Sequence, residues 1–99
     1  MIIFTKNINL IYTIMNDQEL DEFIKLNNDR IKIDLNTENL IYVRSICKSI
    51  IDTKNKINEH KPGSFVQAIV NNDFIGAVLK ADRINSKCLE LYAVLMYNF

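Results

Sequence analysis

Hydrophobic and polar positions change their spacing several times along this chain, and each change marks an element. Met1 to Thr5 and Ile8 to Met15 are rich in β-branched and aromatic residues, which favours a strand or an extended arm. Asn16 followed three positions later by Glu19 has the form of a capping box and predicts a short acidic helix from Asp17 to Leu26, with Leu20, Phe23 and Ile24 on one face. Because that helix has its own start, residues 1–14 read as an appendage, and Met15 is a second plausible point of initiation. Asn27-Asn28-Asp29 ends the helix. Ile31, Ile33 and Leu35 then alternate with Lys32 and Asp34, the pattern of a half-exposed strand that could pair with the N-terminal segment as a short hairpin.

From residue 37 the period becomes helical. Thr37 offers an N-cap, and Glu38 to Glu59 reads as the longest helix, with Leu40, Val43, Ile46, Cys47, Ile50, Ile51 and Ile57 mainly on one stripe. Pro62-Gly63 stops it, because proline cannot donate to the helix and glycine permits a sharp turn. Ser64 is the expected cap of a helix from Phe65 to Val70. Asn72 or Asp73 should cap another from Phe74 to Ala81. After a corner at Asp82–Asn85, Ser86 is the expected cap of a last helix from Lys87 to Asn98. The predicted fold is mainly α: a small helical domain with one long central helix and three short C-terminal helices, and a short β-hairpin or extended arm at the N-terminus. The last helix is apolar on more than one side, through Leu91, Leu95 and Met96 among others. Such a helix is buried all round, and in so short a chain the natural means is a homo-oligomer.

Length and composition narrow the class. Ninety-nine residues with 48% hydrophobic and 24% charged side chains describe one folded domain, residues 1–99. Twelve basic and twelve acidic groups cancel, so no net field draws the chain to DNA or an anionic membrane. The balance is uneven: two basic and five acidic groups over 1–29 give −3, seven and four over 30–61 give +3, and three and three over 62–99 give zero. Cys47 and Cys88 sit in apolar helical patterns without a CxxC, as buried thiols do. No apolar run approaches the ~20 residues a bilayer requires, and no cleavage site follows the first fifteen residues, so the expected location is the host-cell cytoplasm.

Candidate chemistry is sparse. His60 is the only histidine and sits at a predicted helix end, where an imidazolium suits the helix dipole. With no oriented nucleophile, P-loop, GxGxxG or HExxH, the sequence predicts a protein that is not an enzyme and needs neither metal nor cofactor. The most informative stretch is Lys61-Pro62-Gly63-Ser64-Phe65. A glycine turn entering a serine-capped helix presents unpaired backbone N–H groups at the positive end of a dipole, which suits a phosphate. Lys61 adds charge, Phe65 could stack on a base, and Arg44 and Lys48 on the long helix are further candidates, Arg44 because a guanidinium grips phosphate with two donors. The alternative is that Pro-Gly-Ser merely joins two helices and that Arg44 and Lys48 are solvated charges.

The run from Pro62-Gly63-Ser64-Phe65 through the Asn72-Asp73 and Ala81-Asp82 corners to Tyr97-Asn98 resembles a family of small phage and prophage proteins. The likeness covers roughly residues 60–99, two fifths of the chain. Phage accessory proteins of this size are often counter-defence factors, and one class, the sponges that oppose CBASS-type immunity, sequesters cyclic nucleotides as compact oligomers. The resemblance therefore implies a homo-oligomer that binds a cyclic oligonucleotide without catalysis, through Arg44, Lys48, Lys61, Gly63, Ser64 and Phe65. A protein-binding inhibitor of a host defence system, or a phage assembly component, would explain the same sequence with the apolar last helix or the acidic first helix as a docking face.

Overall fold

The computed structural model describes residues 16–57 and 61–99. The predicted arm or hairpin strand over residues 1–14 and the histidine at position 60 lie outside them. Among the described residues the chain forms five α-helices and no strand: α1 (Asp17–Leu26), α2 (Thr37–Lys54), α3 (Ser64–Val70), α4 (Phe74–Lys80) and α5 (Leu89–Asn98). This is the mainly helical architecture of one long helix followed by three short ones.

Helix α1 begins as its sequence dictates. The Asn16 side chain accepts from Glu19 N at 2.9 Å, and the Glu19 carboxylate accepts from Asn16 N at 3.1 Å. Leu20 and Ile24, one turn apart, are its buried residues, and Phe23 meets Phe99 edge to face at 5.4 Å. A 3-10 turn (Asn28–Arg30) follows. The alternation of Ile31, Ile33 and Leu35 does not make a strand among the described residues. It makes an extended run whose apolar side packs on the core, hitched by a single backbone bond from Lys32 N to Lys87 O at 2.9 Å. A second 3-10 turn (Asn85–Lys87) holds that acceptor, so there is no ladder to extend.

Several boundaries differ from the sequence reading. Helix α2 is capped by Asn36, whose side chain accepts from Asn39 N at 2.9 Å, and Thr37 is its first residue. It ends at Lys54, not at Glu59, because Asn55 caps it and Lys56 takes a left-handed conformation with φ 59°. Ser64 and Ser86 cap nothing. Gly63 is the N-cap of α3 without a side-chain bond, and the Ser86 hydroxyl donates back to Arg83 O at 2.8 Å inside the second 3-10 turn. Asp73 does cap α4, accepting from Gly76 N at 2.9 Å. A Cβ on Gly76 would stand 2.1 Å from the Asp73 carboxylate, so glycine is what lets that cap close. Asn72, at φ 58°, makes the left-handed step between α3 and α4.

Helix α2 packs against α1, α3 and α5, and α3 in turn against α4 and α5. The core is Leu20 and Ile24 from α1, Val43, Cys47, Ile50 and Ile51 from α2, Phe65, Val66 and Ala68 from α3, Ala77 from α4, and Cys88, Leu91, Tyr92 and Leu95 around α5. Leu91 and Leu95 are wholly buried within the protomer. Part of the apolar surface of α5 is thus absorbed by its own chain, while Ala93 and Tyr97 stay exposed. A second stretch of apolar surface left in water belongs to α4, where Phe74, Ile75, Val78 and Leu79 are all exposed.

Candidate functional site

The six residues of the expected phosphate site do not converge as one group of free side chains. The Arg44 guanidinium meets the Asp21 carboxylate of α1 with contacts of 2.9 and 3.1 Å from one nitrogen, and its Nε lies 3.8 Å from Asp17. Phe65 is 8% exposed and packs edge to face on Tyr92 at 5.8 Å, so its ring serves the core and is not offered to a base. Lys48, Lys61, Gly63 and Ser64 are exposed. The turn itself is braced by Gln67, whose side-chain amide donates to Pro62 O at 2.7 Å. What remains at this position is a surface turn with one lysine beside it.

A groove between α3, α4 and α5 went unnoticed in the sequence. Its volume is about 720 Å³, and its floor is apolar: Ala68 and Ile69 from α3, Ala77 from α4, and Leu89, Ala93 and Met96 from the α5 side. Phe74 and Tyr97, 76% and 90% exposed, stand at its edges. Asp73 and Glu90 supply carboxylates to its lining. Lys54, the basic group there, donates to Met96 O at 2.8 Å and is held below the ordinary lysine range by desolvation. The groove is thus apolar with an acidic margin. Its signal in the sequence was the run Phe74-Ile-Gly-Ala-Val-Leu, in which large apolar residues lie on both sides of a small pair. Ala77, 4% exposed, is the residue of α4 buried in the core, which leaves the large residues facing outward.

A polar knot joins α2 to the segment between α4 and α5. Buried Tyr92 donates to Asn85 Oδ1 at 2.7 Å, Asn85 Nδ2 donates to the Tyr42 hydroxyl at 3.3 Å, and Tyr42 donates to Asp82, whose other oxygen accepts from Asn85 N at 2.7 Å. The bond to Asp82 raises the Tyr42 hydroxyl above the ordinary tyrosine value, and burial raises that of Tyr92. Asn85 is 3% exposed, yet its amide oxygen and nitrogen both have partners, as a buried side-chain amide requires. Every polar group of the knot serves the corner between α4 and α5.

Cys47 and Cys88 are buried free thiols. Burial pushes the Cys47 thiol far up, and pushes that of Cys88 up to about 11, partly offset by a hydrogen bond with Tyr92. A thiol harder to ionise in the folded than in the unfolded chain leaves stability unchanged below its ordinary value of 9.0 and erodes it above that value. Unfolding free energy should therefore be flat from pH 7 to about pH 8.5 and fall between there and about pH 11, which denaturant melts across that range would measure. Both thiols should resist a disulfide reagent at pH 8 until denaturant is added. Rapid labelling of the native protein would contradict their burial.

Among the described residues no group of three histidine, cysteine or carboxylate side chains is gathered to hold a metal ion, and no helix is long and apolar enough to cross a membrane. Comparison with known proteins gives no match, neither to a family model, nor to a curated protein, nor to a solved structure.

Proposed function

We propose that this protein acts by binding, taking an amphipathic helix of another protein into the α3–α4–α5 groove and inhibiting or sequestering that partner. The groove carries the reading. Its floor is apolar, as the apolar face of a helix requires, with Phe74 and Tyr97 as exposed aromatic anchors of the kind that dominate such contacts. The carboxylates of Asp73 and Glu90 fit a partner helix that carries lysine or arginine beside its apolar stripe. As that partner we propose a host defence protein, the class that the sequence reading expects.

Sequestration of a cyclic nucleotide has less behind it. An acidic margin repels phosphates, Arg44 is engaged by α1, and Phe65 is in the core. Lys48 and Lys61 are the exposed cations of that reading.

Amide chemical shifts followed during titration with a synthetic Leu/Lys amphipathic helix separate the two. The expected perturbations fall on Ile69, Asn72, Ala93, Met96 and Tyr97, and Ala93→Glu, an exposed substitution that crowds the groove, should weaken binding by about tenfold or more. A titration with a cyclic dinucleotide that instead moved Lys61 to Phe65, and was weakened by Lys61→Ala, would replace the proposal with the nucleotide reading.

A further inference from the structure

We infer that the groove binds its partner helix in one direction, antiparallel to α5, with an acidic first turn of the partner against Lys54 and a basic last turn against Glu90. This direction rests on the groove being a helix-binding site, as proposed above.

The α5 wall of the groove carries its charges at opposite ends. Glu90, Ala93 and Tyr97 follow one another at spacings of three and four residues, so they share one face of the helix, and all three are exposed. Glu90 stands in the first turn of α5. Lys54 belongs to α2, but its ammonium donates to Met96 O at 2.8 Å, which fixes it at the last turn of α5. At 1.5 Å per residue, the positions of Glu90 and Met96 lie roughly 9 Å apart along the helix axis. Ala93 lies between them, and its small side chain lets a second helix come close to this wall.

Neither charge is taken up within the protein. Among the described residues the ion pairs all belong to Arg44, and none involves Lys54 or Glu90. The bond to Met96 O uses one of the three donors of the Lys54 ammonium. Burial withdraws water from that group with no carboxylate in return, which is what holds it below the ordinary lysine range. A carboxylate on the partner would supply the missing counter-charge. Asp73, the other carboxylate of the lining, accepts from Gly76 N and makes no ion pair with Lys54.

A helix laid antiparallel to α5 brings its N-terminus to Lys54 and its C-terminus to Glu90. Helices are stabilised by acidic groups in the first turn and basic groups in the last, where they complement the dipole. A partner with that ordinary distribution therefore matches both charges of the wall when antiparallel, and its dipole then opposes that of α5. The parallel orientation would set acid on Glu90 and base on Lys54, and would align the two dipoles.

Paramagnetic relaxation enhancement on the full chain tests the direction. The probe is a leucine-rich amphipathic peptide with glutamates in its first turn and lysines in its last, carrying a nitroxide at one end or the other. The N-terminal label should broaden the amides of Met96 and Tyr97 more than those of Leu89 and Glu90, and the C-terminal label should reverse the order. Glu90→Lys, an exposed substitution, should weaken this peptide by about fivefold. A second peptide, with glutamates in place of the last-turn lysines, should bind that variant better than the wild-type chain. A reversed broadening pattern, equal broadening of both ends from each label, or an affinity indifferent to Glu90→Lys would overturn the direction and leave the groove as a helix site. A peptide that perturbs no amide of the groove would overturn both.

Discussion

Tyr92→Ala is expected to cost about 3–5 kcal/mol, a large part of the roughly 5–15 kcal/mol available to a domain of this size. Tyr92 is the largest of the side chains buried completely, and its ring meets Phe65 edge to face while its hydroxyl reaches Asn85. Truncation removes the ring from the junction of α3 and α5 and leaves an acceptor of Asn85 without a partner. Tyr92→Phe separates these contributions: it keeps the packing, strands the Asn85 oxygen, and should cost about 1–2 kcal/mol. Urea unfolding followed by far-UV circular dichroism measures both. A loss below about 1 kcal/mol for the alanine variant would mean that α5 is not seated on α3 as described.

Arg44→Ala should destabilise the protein by about 2 kcal/mol, the value of charge-assisted hydrogen bonds to a partly buried carboxylate. The two side chains of the Arg44–Asp21 pair are each 23% exposed, and the guanidinium reaches both carboxylate oxygens. Asp21→Ala should have a similar effect. The double variant should lose less than the two losses added together, by about 1 kcal/mol, because the second substitution removes a group already without its partner. Were Arg44 instead a phosphate ligand, its removal would leave the urea midpoint in place and weaken nucleotide binding. The same pair of measurements thus decides between a bond that fastens α1 to α2 and a ligand contact.

Local chemistry in this chain could be read before any tertiary structure was known. Asn16 with Glu19 specified the start of α1, the Asn72-Asp73 pair the start of α4, and the spacing of Val43, Cys47, Ile50 and Ile51 the buried face of α2, because each depends on neighbours within one or two turns. Features set by distant parts of the chain were not legible. Arg44 looked free because nothing within four residues of it is acidic, and its partner arrives from α1. Phe65 looked available because it follows a turn, but the approach of α5 places Tyr92 against it. The alternation from Ile31 to Leu35 has the period of a strand, while among the described residues the neighbouring backbone is the turn at Lys87, which offers one bond and no ladder. The groove depends on three helices at once, and the run from Phe74 to Leu79 that signals one of its walls says nothing of Ala68 and Ala93 on the other two.

The polar knot around Asn85 has an optical consequence. The chain has no tryptophan, and two of its four tyrosines, Tyr42 and Tyr92, are bound into that knot, whereas Tyr97 projects into solvent and Tyr12 lies outside the described residues. Near-UV circular dichroism requires a ring held in a fixed asymmetric setting, so its signal here reports chiefly on the corner between α4 and α5. Far-UV dichroism reports on the helices as a whole. A state that kept its helices but lost its side-chain packing would show first as a fading tyrosine band with the helical signal intact.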